Sequence, residues 1–203
     1  MKILAIGRNY AEHIEELNNE RPDEPLIFLK PETAVIKNND PFFYPDFSTN
    51  IHHEVEILVR IEKPGKNISE KFAHNYYHQV GIGIDFTARD WQEKAKKKSW
   101  PWAIAKGFNG SAPISAFYPL SDIGDIKDLN FSLKINGEIR QQSNTKLMLF
   151  SVDYLIAYLS KFFLLKKGDI IFTGTPKGVG PVQIGDRLEA FIESEKLLDF
   201  EVK

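Results

Sequence analysis

His52-His53-Glu54-Val55-Glu56-Ile57-Leu58-Val59-Arg60-Ile61 reads as a β-strand, because its side chains alternate with a period of two. Val55, Ile57, Val59 and Ile61 fall on one face, and Glu54 and Glu56 fall on the other. Two carboxylates two residues apart on a strand face stand roughly 7 Å apart. They repel unless water or a cation separates them. An exposed edge strand supplies the water; a metal site supplies the cation. The strand leaves both open.

Outward from this stretch the chain is rich in strands and poor in helices. Residues 3–6 and 26–29 read as short apolar strands, with a helix over residues 11–18 between them. Pro41, Pro45 and neighbouring aromatics mark an irregular loop before the Glu54 strand. Residues 80–85, Val-Gly-Ile-Gly-Ile-Asp, read as a buried strand whose two glycines permit close backbone approach. Thr87-Ala88-Arg89-Asp90 resembles a capping box with Asp in place of Glu, predicting Thr87 as the N-cap of the next helix. Asn136-Gly137 between two alternating stretches is a strong hairpin signal. Ser151 is placed to cap a helix over residues 152–163, whose Leu155, Ile156, Leu159 and Phe163 form an apolar face. Turns at 167–170 and 184–187 lead into strands, and Leu198, Phe200 and Val202 alternate at the C-terminus. Regular βα alternation is missing, so the expected class is α+β, mainly β, with mixed or antiparallel sheets.

Composition sets the bounds. A chain of 203 residues is expected to form one domain spanning 1–203 and to bury roughly 70% of its unfolded surface. Hydrophobic residues at 42% and a formal net charge of −2, with both signs interspersed, give no electrostatic footprint for nucleic acid. The basic run at 94–98 reads as a solvated helix face. Cysteine is absent, which excludes disulfides, thiolate metal sites and a cysteine nucleophile. The N-terminal apolar stretch is too short for a signal peptide, and no window approaches a membrane span. The expectation is a cytoplasmic protein without membrane or nucleic-acid partners.

A few residues carry chemistry. Asp85 closes an apolar run just before a predicted helix, where the helix dipole alone would favour it. With Glu54 and Glu56 it also makes a set of three carboxylates, hard oxygen ligands that select Mg²⁺, Ca²⁺ or Mn²⁺. His52 shares the Glu54 face and His53 points the other way; neither is a persuasive ligand. His13 and Glu16, three apart on a helix, make either a surface pair or a carboxylate–imidazole base. Lys106 follows the apolar Pro101-Trp102-Ala103-Ile104-Ala105, so it either snorkels to solvent or enters a desolvated pocket. Arg89 and Gln92 share the face of the helix after Asp85. Thr173-Gly174-Thr175-Pro176-Lys177-Gly178-Val179-Gly180-Pro181 is not a nucleotide-binding loop, but Thr175 and its backbone N–H groups suit a carboxylate.

Taken in order, Gly7-Arg8-Asn9-Tyr10-Ala11-Glu12-His13, Phe28-Leu29-Lys30-Pro31, His52-His53-Glu54-Val55-Glu56, Asp85-Phe86-Thr87-Ala88-Arg89-Asp90, Pro101-Trp102 to Lys106 and the 173–181 loop resemble the fumarylacetoacetate hydrolase family. The nearest branch is that of the short acylpyruvases and oxaloacetate decarboxylases. The match covers nearly the whole chain. The resemblance implies a mixed β-sandwich roll, usually a homodimer. It assigns Glu54, Glu56 and Asp85 to Mg²⁺ or Mn²⁺, and His13, Glu16 and Lys106 to catalysis. Arg89, Gln92 and Thr175 fall on substrate-contacting positions, and residues 1–20 include a mobile lid. The separate N-terminal domain of longer members is missing, and no carboxylate stands near Ile6-Gly7. Small 2-oxo acids are therefore favoured over fumarylacetoacetate.

The implied activity is metal-dependent C–C cleavage through a pyruvate enolate, by acylpyruvate hydrolysis, oxaloacetate decarboxylation or both. The alternatives are an isomerase or hydratase of unsaturated 2-oxo acids and a non-catalytic metal-binding protein.

Overall fold

The computed structural model describes residues 1–17 and 20–203. Strands follow the chain as β1 Ile3–Gly7, β2 Leu26–Lys30, β3 Val35–Ile36, β4 Ile51–His53, β5 Val55–Arg60, β6 Gln79–Ile84, β7 Thr87–Ala88 and β8 Ala112–Pro113. Then come β9 Tyr118–Pro119, β10 Asn130–Ile135, β11 Glu138–Asn144, β12 Ile170–Phe172, β13 Gly180–Pro181, β14 Arg187–Ile192 and β15 Glu195–Glu201. Helices are α1 Ala11–Glu16, α2 Arg89–Lys98, α3 Ala103–Lys106, α4 Leu120–Ile123 and α5 Val152–Phe162. The class is α+β, mainly β.

A six-stranded mixed sheet runs β2-β1-β12-β5-β6-β9, and a four-stranded antiparallel sheet runs β11-β10-β14-β15. Smaller sheets join β13-β4-β7 and β3-β8. The alternation of β5 is used on both faces. Val55, Ile57 and Val59 enter the larger core with Ile82, Ile84, α5 residues Leu155 and Leu159, and the inner face of the four-stranded sheet. Leu58, from the opposite face, packs with Ile3, Ala5, Ile170, Phe172 and Ile114. Glu56 shares the Leu58 face, so the pair of glutamates is not on an exposed edge; Glu56 is 1% exposed.

The ribbon of β4–β5 against β6–β7 positions the site. Val55 pairs with Ile84 and Glu56 with Gly83 in the large sheet, while His52 pairs with Thr87 in the small one. One register therefore runs through both segments, and the ribbon bends where Glu54 faces Asp85, joined by the Asp85 N–H donating to Glu54 O at 2.8 Å. Residues directly opposite in an antiparallel pair share a face. Register thus places Asp85 beside Glu54 and Glu56. Gly83 is needed there, because a Cβ would come within 3.0 Å of Pro113 O and 2.8 Å of Leu58 Cδ1.

The Asn136-Gly137 hairpin and the Ser151 cap form as expected, Ser151 Oγ accepting from Tyr154 N–H at 3.2 Å. Two expectations change. Thr87 does not cap α2: it is held in the ribbon, so the helix starts at Arg89 with Ala88 as its N-cap and no side-chain cap. Asp90 instead accepts from Ser48 Oγ at 2.7 Å. Helix α1 ends at Glu16, and Asn18, the expected end, lies outside the described residues.

Candidate metal and catalytic centre

Glu54, Glu56 and Asp85 converge so that one ligand oxygen from each lies within 4.8 Å of the others. The carboxylate oxygens meet more closely than the backbone spacing along one strand, because their side chains converge. They are 5%, 1% and 0% exposed. Such a cluster must be neutralised, since burying unpaired charge is prohibitive.

Two of the three acids have cationic partners. Lys106 Nζ, at the end of α3, lies 2.8 Å from Glu54 Oε2 and 2.6 Å from Asp85 Oδ2, and donates to Thr87 Oγ1 at 2.6 Å. Arg89 donates to Glu54 Oε1 and to Gln92 Oε1, each at 2.7 Å. The other oxygen of Asp85 lies 2.7 Å from Lys30 Nζ. Lys30 closes β2 and reaches across a fully buried path, donating also to Ser111 O at 2.9 Å and to the Lys106 carbonyl. Burial lowers the Lys30 pKa, opposed by the Asp85 charge. Burial also works against the Glu54 carboxylate, yet Lys106 and Arg89 hold its pKa below the ordinary range. For Lys106, burial is outweighed by Asp85 and Glu54, and its pKa rises.

Glu56 differs. Among the described residues no cationic side chain pairs with it; its partner is the Gly174 backbone N–H, 2.6 Å from Oε2. Burial first, then the Asp85 and Glu54 charges, push its pKa well above the ordinary value. A buried acid that lacks a counter-charge, in an all-oxygen donor set, fits a hard divalent cation such as Mg²⁺ or Mn²⁺. His52 and His53 stand apart from this set: His52 Nε2 is 2.9 Å from Asn50 Oδ1, and His53 Nδ1 is 3.0 Å from Gln141 Oε1.

The 173–178 loop forms the second wall. Gly174 has φ +101°, and a Cβ there would lie 2.6 Å from Asn9 Cβ. Asn9, fully buried after β1, donates to Thr173 O at 2.7 Å and to Phe150 O at 3.1 Å, which ties the loop to the chain below it. Thr175 is 3% exposed, and its Oγ1 accepts from Gln141 Nε2 at 2.9 Å. Gln141 also accepts from Val55 N–H at 2.9 Å, so one buried amide joins β5, β11 and the loop.

Over this floor stands α1. Six residues make a marginal helix in isolation, and tertiary contacts hold this one: His13 and Ile14 are buried, and Glu16 Oε1 accepts from Gly178 N–H at 2.9 Å. Glu12 pairs with Lys177 at 3.1 Å. His13 Nδ1 lies 3.3 Å from Glu16 Oε2. Burial lowers the His13 pKa, while Glu54 and Glu16 partly oppose the shift. A neutral imidazole whose Nδ1–H donates to Glu16 presents a basic Nε2.

The nine residues singled out from the sequence thus lie in one neighbourhood. His13, Glu54, Glu56, Arg89, Gln92, Lys106 and Thr175 line a cavity of about 30 Å³; Asp85 lies beneath it and Glu16 behind His13. Lys30, Asn9 and Gln141 were not singled out, although Asn9 and Lys30 fall inside the resemblance motifs. A larger cleft of about 560 Å³ around Arg60, Phe117 and Tyr118 includes none of the three clustered carboxylates.

This geometry is accompanied by similarity along the full chain. Residues 2–202 match the family model described as "Fumarylacetoacetate (FAA) hydrolase C-terminal", and the protein belongs to that family. A Mus musculus protein, "Oxaloacetate tautomerase FAHD1, mitochondrial", is 45% identical over 201 residues, covering 99% of this chain and 91% of its own length. "Oxaloacetate decarboxylase, mitochondrial" of Dictyostelium discoideum is 43% identical over 192 residues, covering 94% and 88% respectively. Among solved structures, fumarylpyruvate hydrolase from Pseudomonas aeruginosa in complex with Mn²⁺ and pyruvate superposes with a TM-score of 0.94. It is 36% identical and covers 100% of this chain and 89% of its own. The relatives are enzymes, and the Glu54–Glu56–Asp85 cluster is able to hold a metal ion.

Proposed function

We propose that the protein is a Mg²⁺- or Mn²⁺-dependent enzyme that forms and uses the enolate of small 2-oxo acids, with oxaloacetate and acylpyruvates as substrate classes. The observation that carries this reading is Glu56: a buried carboxylate without a cationic partner, set among hard donors beneath a pocket of cations. Glu54, Glu56 and Asp85 would hold the divalent ion, which would supply electron withdrawal at the 2-oxo oxygen of a substrate.

The chain's own groups divide the remaining work. Arg89 and Thr175 bind the substrate carboxylate, with Gln92 fixing the guanidinium plane. Lys106 Nζ places positive charge where the enolate develops and delivers a proton to it. In decarboxylation the bond from C3 to the leaving carboxylate breaks, its electron pair enters the enolate, and protonation at C3 gives pyruvate. In acylpyruvate hydrolysis His13 Nε2 removes a proton from water as the water attacks the distal carbonyl, and Glu16 holds the imidazolium that results. The bond from C3 to that carbon then breaks, its electron pair enters the pyruvate enolate, a carboxylic acid leaves, and protonation at C3 gives pyruvate. A second reading, keto–enol tautomerisation of oxaloacetate, is favoured by the name of the Mus musculus relative. It needs proton transfer at C3 with no attacking water.

About 30 Å³ holds a water or a bare ion but not a 2-oxo acid. We take α1, which carries His13 over the pocket, as the lid that lifts for substrate entry. β1 is paired on both sides inside the large sheet, so we confine the lid to the segment after Gly7. A homodimer is also proposed, on family resemblance, and sedimentation checks it. The cysteine-free composition supports a cytoplasmic placement, and no helix among the described residues is long and apolar enough to cross a membrane.

The test is pyruvate release from oxaloacetate and from acylpyruvates of increasing chain length, with enol–keto conversion followed by absorbance. Activity abolished by EDTA and restored by Mg²⁺ or Mn²⁺ supports the reading. Stoichiometric metal binding with no turnover of any 2-oxo acid overturns it.

A further inference from the structure

Helix α2 presents Arg89, Gln92 and Lys96 at spacings of three and four, which places them on one face. Arg89 and Gln92 are buried at the deep end beside Glu54, whereas Lys96 is exposed. The rise from Gln92 to Lys96 is about 6 Å, close to the span of a four-carbon acid. All three line the same cavity.

Lys96 has no carboxylate partner among the described residues; its contact is cation–π, with Nζ 5.8 Å from the centre of the Trp102 ring, which also lines the cavity. Burial, then the charges of Arg89 and Arg8, lower its pKa, so its surroundings are already short of negative charge. Arg89 and Lys106 on the cavity wall are paired with Glu54, whereas Lys96 is not. Beneath it, Lys30 and Asp85 cancel one another. A divalent ion held beside Glu56 would add two further positive charges. A dianionic substrate offsets more of that positive charge than a monoanion does.

We propose that Lys96 is a specificity residue that receives the distal carboxylate of a dicarboxylic 2-oxo acid, so the site prefers a dianion of the oxaloacetate class to a neutral-tailed acylpyruvate. The inference rests on the function proposed above and adds the substrate class. Its alternative, a solvated lysine in the last turn of α2 serving the helix dipole, applies equally to Lys97, which is exposed and does not line the cavity. Lys97 is therefore the internal control.

The experiment compares KM for acetylpyruvate with KM for oxaloacetate in the wild type, Lys96→Met, Lys96→Arg and Lys97→Met, with bound metal confirmed. Removing a charge-assisted contact in a partly desolvated pocket should lower the acetylpyruvate-to-oxaloacetate KM ratio at least about tenfold in Lys96→Met. The loss should appear in KM for oxaloacetate. Lys96→Arg should restore most of the ratio, and Lys97→Met should keep it. The wild-type KM for oxaloacetate should also climb more steeply with salt than that for acetylpyruvate. A ratio unchanged within about twofold in Lys96→Met, or lowered as much by Lys97→Met, overturns the assignment while leaving the proposed function standing. A wild type that turns over neither substrate removes both.

Discussion

Two charged clusters in this protein are built from the same kinds of side chain. In the first, Glu54 and Asp85 meet Lys106, Lys30 and Arg89 at 2.6 to 2.8 Å. In the second, on the β14–β15 hairpin, Glu189 and Asp199 meet Arg187 and Lys196 at 2.7 to 2.9 Å. Pairing distances hardly distinguish them; burial does. The first is sealed by two hydrophobic cores and α1, so each charge depends on its partners. The second is open to solvent, where screening makes such pairs worth little. Only the first also contains an acid, Glu56, without a cationic partner. Burial plus one missing counter-charge makes an ion-pair network able to hold a metal ion.

The comparison can be broken most severely at Glu56. Glu56→Ala should lower metal-dependent turnover by on the order of a thousandfold and abolish Mn²⁺ binding in calorimetry. Full activity in that variant would remove the metal assignment. Next in size is Lys30→Ala, which leaves the Asp85 carboxylate with one of its two buried cations gone. Breaking a buried pair by removing one partner costs about 3–5 kcal/mol, which urea unfolding will measure. A loss under about 1 kcal/mol would show that this network behaves like a surface one.

His13→Ala sharpens the division of labour. It should slow acylpyruvate hydrolysis by about 10²–10⁴-fold and decarboxylation far less, because only hydrolysis requires activated water. Equal losses would count against the base role. The pH profile follows from the same residue. Its folded pKa is depressed below 6.5, so His13 stays neutral and basic as pH falls through 6.5. Hydrolysis should therefore persist into mildly acidic buffer before declining. Stability linked to His13 is complete above pH 6.5 and is lost on acidification, since the unfolded chain takes up the proton first.

The smallest effect is expected at the hairpin. Asp199 is held at about 2, chiefly by its hydrogen bond from Arg187. The stability it contributes is present above pH 3.8 and is lost as pH falls towards 2. Asp199→Asn should cost little at neutral pH, less still in high salt, and nothing near pH 2. A thermal melt series across pH and salt checks all three.

Much of the large sheet was legible because its strands carry strong local patterns. The alternation from Val55 to Ile61, the Val80 to Ile84 run and the Asn136-Gly137 turn each specify structure over a few residues. Glu54 and Glu56 were visible together because they are two apart on one strand. Asp85 was visible as an acid ending an apolar run, but its place opposite Glu54 depends on inter-strand register. Thr87 was misread for a related reason. Its local pattern is that of a cap, yet pairing with His52 holds it in the ribbon, and its hydroxyl goes to Lys106. Gln141 gave no signal, since it sits among polar residues in Glu138–Asn144, a strand at the edge of its sheet, and its buried amide is revealed only when the 173–178 loop packs over it.

By itself the sequence determined the class of fold, the ordered family motifs and the identity of the three carboxylates, because these depend on residue type and on spacing within single elements. Tertiary structure decided which charges are sealed from water. It buried Lys30 and Lys106 against Asp85, left Glu56 without a cation, and stood Lys96 at the cavity wall with no acid beside it. Those outcomes depend on which surfaces meet across distant parts of the chain, and local spacing does not encode the dielectric surroundings that follow.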